Sequence, residues 1–78
     1  MIYKTQGVCC QEIDLSVEDG IIKEIRFSNG CDGNLKGIAR LAKGRKASEI
    51  IPLMKGIRCG QKATSCPDQL AAALKTLE

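Results

Sequence analysis

The period of the apolar residues changes once along this chain, and that change constrains the fold more than any other feature. Residues 12–17 alternate polar and apolar side chains, which predicts a half-buried strand with Ile13, Leu15 and Val17 facing inward. From residue 35 onward the apolar residues recur every three or four positions, as on one face of a helix. The 78 residues suffice for a single domain, 1–78. The sequence therefore predicts an α+β domain, with strands first and helices after.

Two further segments complete a small sheet. Residues 2–6 can form a first strand, and the pair Asp19-Gly20 is a hairpin signal after the second. The return strand runs from 21 to 28 and places Ile25 and Phe27 on one face. The sheet is expected to be antiparallel and three-stranded.

Three apolar faces follow at helical spacing. They are Leu35, Ile38, Ala39 and Ala42, then Ala47, Ile50, Ile51 and Met54, and finally Leu70, Ala73, Leu74 and Leu77. The order β-β-β-α-α-α predicts helices packed on one face of the sheet.

Polar residues and proline predict where these helices begin. Asp32 or Asn34 is expected to cap the first helix, and Pro52 to lie near the first turn of the second. Ser65 is expected to be the N-cap of the third helix, with Asp68 three residues further on.

The composition excludes several classes of protein. The net charge of +3 is spread along the chain, and Tyr3 and Phe27 are the only aromatic residues, so nucleic-acid binding is not expected. There is neither an apolar run long enough for a membrane span nor a signal-peptide pattern at the N-terminus, and we expect a cytoplasmic protein. The edges of a small sheet leave a homodimer as one option.

Five cysteines and no histidine stand in the sequence. In a reducing compartment such enrichment indicates metal binding or thiol chemistry rather than disulfides. Cys9 and Cys10 precede one hairpin strand and Cys31 follows the other, so these residues should be neighbours. Cys31 and Cys66 are expected at helix starts, which favour a thiolate. None of the cysteines is expected on the apolar stripe of a helix.

The cysteine spacing alone leaves three interpretations open. Four converging thiolates would suit tetrahedral Zn²⁺ or an iron–sulfur cluster. The chain contains no Cys-x2-Cys pair, however, and cysteines also pack as small buried hydrophobic residues. A thiol redox or catalytic role for Cys66 is the third interpretation.

Several blocks resemble the TSCPD domain family. The residues Thr64-Ser65-Cys66-Pro67-Asp68 spell its name. Further similar blocks are Gly7-Val8-Cys9, Gly30 to Leu35, Lys55 to Cys59 and Thr64 to Leu70, and together they cover nearly the whole chain. The chain also resembles the C-terminal domain of adenosylcobalamin-dependent ribonucleotide reductases and, more distantly, IscU/NifU-type iron–sulfur scaffolds.

The resemblance implies a metal-binding accessory domain, with zinc as the expected metal. The implied ligands are Cys9, Cys31, Cys59 and Cys66, with Cys10 as the alternative to Cys9. An iron–sulfur cluster, or no cofactor, is the alternative. A protein partner and a link to ribonucleoside-diphosphate reductase and DNA synthesis are implied by analogy. The chain is too short for a reductase barrel, so catalysis by this chain alone is not expected.

Overall fold

A computed structural model describes residues 2–5, 12–28, 32–58, 60–61 and 64–77 of the chain. Its strands are β1 (Ile2–Lys4), β2 (Glu12–Glu18) and β3 (Ile21–Ser28). Its helices are α1 (Asp32–Ala42), α2 (Ala47–Met54) and α3 (Cys66–Thr76). The predicted α+β fold is confirmed, with a three-stranded antiparallel sheet in the order β1-β2-β3 followed by three helices.

The β2–β3 hairpin sets the register of the sheet. Asp19 and Gly20 both have positive φ values, 54° and 77°, as a type I′ hairpin turn requires. From that turn the strands pair back to Glu12 opposite Ser28, at the open end of the hairpin. As predicted, Ile13 and Leu15 are buried, and Val17 packs against the same core.

A β-bulge in β3 changes which residues face the core. Ser16 pairs with Glu24 but Val17 pairs with Ile22, so Lys23 is an extra residue in β3. The alternation therefore shifts by one position, and Ile22 is buried together with Ile25. The sequence predicted the face of Ile25 and Phe27 but not the burial of Ile22, because strict alternation cannot register an inserted residue.

The segment after α1 ties the helices to the start of β3. The Gly44 N–H donates to the Ile22 carbonyl at 2.8 Å, and the Ile22 N–H donates to the Arg45 carbonyl at 2.9 Å. Lys46 forms a β-bridge with Ile21. α1 therefore runs antiparallel to β3, and it ends beside the hairpin turn.

α2 starts at the hairpin turn, and α3 returns to it. The Ala47 N–H donates to the Gly20 carbonyl at 2.8 Å, which fixes the start of α2. Leu77, just past the end of α3, shares a surface depression with Gly20 and Ala47. α2 and α3 thus form an antiparallel pair, and α3 begins at the end of the molecule away from the hairpin turn.

Two predicted helix details are wrong. Pro52 is the sixth residue of α2 and lies inside it rather than in its first turn, because the helix begins at Ala47, five residues before it. Asp32 is the first residue of α1 and Asn34 is the third, so neither of the two predicted caps precedes the helix. Pro52 is exposed, so its ring does not disturb the core.

Candidate functional site

The start of α3 carries the Thr-Ser-Cys-Pro-Asp sequence and holds a cluster of side-chain hydrogen bonds. Ser65 is the N-cap, as predicted, with φ −150° and ψ 171°, and its hydroxyl accepts from the Asp68 N–H at 3.2 Å. Cys66 and Pro67 occupy the first two helical positions, where an N–H has no helical partner. Capping therefore explains Ser65, Pro67 and part of the role of Asp68.

The turn that ends α2 provides the other half of the site. Lys55 has φ −63° and ψ 133°, and Gly56 follows with φ 86°. With the Ile57 N–H donating to the Met54 carbonyl at 3.4 Å, these are the angles of a type II turn, which favours glycine at its third position. This turn stops α2 and sends the chain toward the start of α3.

Two side-chain hydrogen bonds join the turn to the start of α3, and a third lies within that start. The Gly56 N–H donates to Asp68 Oδ1 at 2.7 Å, and the Thr64 hydroxyl donates to Asp68 Oδ2. The Ser65 hydroxyl donates to the Ile57 carbonyl at 2.6 Å. We call these three bonds the turn–helix latch. These bonds hold the residues before the segment 58–64 close to the residues after it. That segment contains Cys59.

The latch also lowers the pKa of the Asp68 carboxyl. Hydrogen bonds from Thr64 and then from the Gly56 N–H lower the pKa of the Asp68 carboxyl below its ordinary value of 3.8, and Lys55 adds to this. Partial burial opposes the shift without reversing it. A carboxyl with the ordinary pKa is already ionised at neutral pH, and the lowered pKa of Asp68 extends its ionised range to more acidic pH. Its bonds to the latch donors are therefore charge-assisted.

Cys66 lies at the junction of this network and the core. It is 5% exposed and belongs to the buried cluster that includes Ile13, Leu35 and Leu70. Cys66 precedes Leu70 by four positions and Leu74 by eight, so it extends the apolar stripe of α3 by one turn. The expectation that no cysteine lies on such a stripe is therefore wrong for Cys66, because the stripe reaches the first residue of the helix.

The other predicted ligands, Cys9, Cys10, Cys31 and Cys59, lie outside the described residues. Within the described ranges no group of three or more cysteine or acidic side chains is suited to a metal ion. Those ranges include Cys66 alone among the expected ligands, so the convergence of the cysteines stays a prediction.

Sequence reasoning missed the partners of Asp68. The Ser-x-x-Asp spacing predicted a cap, but nothing local predicts that Asp68 bonds Gly56, twelve residues earlier. One sequence feature could have indicated this contact. A helix-ending glycine, Gly56, stands shortly before the N-cap motif at Ser65, and such a pair predicts a tight connection between two antiparallel helices.

The fold and the site define a class: an α+β domain in which a cysteine-bearing helix start is bonded to the preceding turn. The family model described as TSCPD domain matches residues 1–78. The chain belongs to the TSCPD domain family. No curated protein and no solved structure matches the chain, so the expected likeness to IscU/NifU-type scaffolds stays a prediction. Among the described helices, none has the length and apolar character to cross a membrane.

Proposed function

We propose that this TSCPD domain binds one metal ion, with zinc the expected metal, and acts as an accessory or interaction domain rather than as an enzyme. The proposed ligands are Cys9, Cys31, Cys59 and Cys66, with Cys10 as the alternative to Cys9. Four thiolates are the ligand set of a closed structural zinc site. The core of this chain is small and includes two aromatic residues, so it contributes little folding energy. Bound zinc would add to that energy.

The observation that carries the proposal is the end of the sheet at which β2 begins and β3 ends. Glu12 and Ser28 pair at the open end of the hairpin, away from the Asp19-Gly20 turn. Cys10 precedes Glu12 by two residues, and Cys31 follows Ser28 by three. These two segments therefore meet the sheet at the same end, which supports Cys9 or Cys10 as a neighbour of Cys31.

The helices lead to the same end of the molecule. α1 begins at Asp32, directly after Cys31, and ends beside the hairpin turn. α3 runs toward that turn as well, so its first residue, Cys66, lies at its far end, about 16 Å along the helix.

The turn–helix latch supports Cys59 as the remaining ligand. Ile57 is bonded to Ser65, and Cys59 follows Ile57 by two residues while Cys66 follows Ser65 directly. Two residues of chain reach at most about 7 Å. Holding the turn against the helix start thus lowers the loop entropy that Cys59 must lose to join Cys66 at one ion.

Metal analysis of the purified protein tests the proposal. We expect about one zinc per chain and no visible absorbance, and cobalt(II) substitution should give thiolate-to-metal charge-transfer bands. Cys31→Ser, Cys59→Ser and Cys66→Ser should each abolish stoichiometric binding. Cys9→Ser and Cys10→Ser form a matched pair, of which only the variant lacking the ligand should lose the metal.

Two other results would support other functions. A brown protein with iron and sulfide after anaerobic purification would favour an iron–sulfur scaffold or carrier. A metal-free protein with one rapidly alkylated cysteine would favour a thiol redox protein. Any link to ribonucleotide reductase and deoxynucleotide synthesis is part of this proposal and is tested by co-purification with the reductase of the same organism.

A further inference from the structure

The surface between β3 and α1 has a chemistry that the cysteine site does not use. A groove of about 310 Å³ runs there, with Glu24 and Ile25 on the strand side. Its helix side is formed by Lys36, Ala39, Arg40 and Lys43. Ile25 and Ala39 give the groove an apolar floor, and three cations line one wall. An apolar floor beside a row of like charges is typical of a recognition surface.

The described side chains that line the groove include more cations than carboxylates. Glu24 is the one carboxylate among the described lining residues, and Lys43 approaches it at 3.8 Å from one side while Arg26 approaches at 3.8 Å from the other. Both distances exceed hydrogen-bond length, and all three side chains are about half exposed or more.

The spacing of the cations follows from α1. Lys36 and Arg40 lie four residues apart on α1, and Lys43 directly follows the last residue of the helix, three positions after Arg40. The Lys43 N–H still donates to the Ala39 carbonyl, so the three cations form one stripe. That stripe runs beside β3, because α1 is antiparallel to the strand. A ligand that matches the stripe must therefore present several negative charges in a line.

The strand beside the groove is an edge strand. β3 is the last strand in the sheet order, and the backbone of 44–46 pairs with it at Ile21 and Ile22. This short pairing shows that the outer edge of β3 accepts an antiparallel chain. Within the described residues, pairing on that edge stops at Ile22, before the segment that borders the groove.

We propose that the β3–α1 groove binds an acidic segment of a partner polypeptide in extended conformation. Carboxylates of the segment would face the cations of α1, while its backbone lies along β3, as in strand addition. A polypeptide fits better than a nucleic acid because both aromatic residues, Tyr3 and Phe27, pack against the core and are not offered for base stacking. The proposal does not depend on metal binding.

Peptide binding tests the proposal. The probe is a short fluorescein-labelled peptide of alternating glutamate and threonine, which favours extended structure, and its reference is the glutamine–threonine peptide. The groove variant is Lys36→Gln/Arg40→Gln/Lys43→Gln. The control variant, Lys4→Gln/Lys46→Gln/Lys75→Gln, removes the same charge from exposed positions outside the groove.

Fluorescence anisotropy should show the glutamate peptide binding to the wild-type protein and to the control variant. The groove variant should bind it about ten-fold more weakly, and the wild-type affinity should fall with added salt. Amide chemical shifts of the wild-type protein should change most within 24–28, which non-specific charge attraction would not produce. Backbone spectra of both variants establish that they are folded.

Several outcomes would overturn the proposal. Equal loss of affinity in the two variants would show that peptide binding depends on the net charge of the protein and not on the groove. Absence of binding would mean that the bulge at Lys23 and the charges of β3 merely protect an edge. Tighter binding of single-stranded oligothymidylate than of the glutamate peptide would identify the groove as a nucleic-acid surface.

Discussion

Asp68 is the residue through which the turn–helix latch can be tested most directly. Its two carboxylate oxygens accept from different parts of the chain, Gly56 and Thr64. Asp68→Asn keeps one acceptor oxygen but turns an N–H₂ group toward one of the two donors. We expect a loss of about 1–2 kcal/mol of stability, at the lower end for charged hydrogen bonds because the carboxylate is only partly buried. Urea unfolding at neutral pH measures the difference.

The pH dependence of the same difference follows from the lowered pKa of Asp68. A carboxyl with a lower pKa in the folded than in the unfolded state stabilises the fold above the unfolded pKa of about 3.9. That stabilisation disappears as the pH falls through the folded pKa. The difference in unfolding free energy between wild type and Asp68→Asn should therefore be largest at pH 7 and should disappear in acid. A difference that stays constant at low pH would show that the charge of Asp68 does not matter.

Ser65 combines two roles in one hydroxyl, since it accepts from the Asp68 N–H and donates to the Ile57 carbonyl. Ser65→Ala should cost about 1–2 kcal/mol, because a cap is lost and the Ile57 carbonyl loses its donor. Ser48→Ala is the control, since Ser48 is exposed in the first turn of α2. The control should stay within about 0.5 kcal/mol of wild type in denaturant unfolding. Equal losses in both variants would contradict the latch.

Among the secondary-structure elements, α1 and the end of α2 offer a matched pair of glycines. Gly56 has φ 86°, a left-handed conformation that strains any residue with a Cβ, and Gly37 lies inside α1. A Cβ at either position would meet no atom within 4 Å. Backbone conformation alone therefore decides the outcome, since packing is the same for both.

Gly56→Ala should destabilise the domain by about 1–2 kcal/mol, whereas Gly37→Ala should stabilise it by about 0.5–1 kcal/mol. Thermal unfolding of the two variants beside the wild-type protein checks both signs in one series. Opposite shifts in Tm are the expected result. A stabilising Gly56→Ala would be incompatible with a type II turn at the end of α2.

The elements themselves were largely predictable because they rest on local patterns. Alternation predicted β2, Asp19-Gly20 predicted the hairpin turn, and helical spacing predicted the buried faces of α1 and α3. The predictions failed where contacts between different parts of the chain determine the structure. The pairing of β3 with β2 around the extra residue Lys23 decides the burial of Ile22. The position of Pro52 is a separate error, because the apolar spacing of α2 already begins at Ala47, five residues before it.

The site divides in the same way between local and distant causes. The cap at Ser65 is local and was predicted from the sequence. The bond from Gly56 to Asp68 depends on how α2 packs against α3, which no local pattern specifies. The burial of Cys66 could have been read from its spacing to Leu70 and Leu74, but a residue at a helix end has few neighbours on the stripe to reveal it.

At the scale of the whole molecule, the fold has two ends with different compositions. One end holds the Asp19-Gly20 turn, the start of α2 and the end of α3, joined by backbone hydrogen bonds and a shared depression. At the opposite end of the molecule lie the first residue of β2, the last residue of β3 and the starts of α1 and α3. All cysteine-bearing segments adjoin the second end in sequence, so that end is where a cross-link would add most stability.

Metal removal should therefore reveal how much of the stability depends on that end. If the proposed zinc site exists, the metal binds the folded state and stabilises it by mass action, whereas the unfolded chain holds it weakly. We expect chelation to lower Tm by about 10 °C or more, since a shift of about 1 kcal/mol moves Tm by about 4–8 °C in a domain of this size. Cys66→Ala keeps a small apolar residue in the core but removes a ligand, so its Tm should be low and insensitive to chelator. A wild-type Tm that does not respond to chelator, in a protein that still unfolds cooperatively, would contradict a stabilising zinc site.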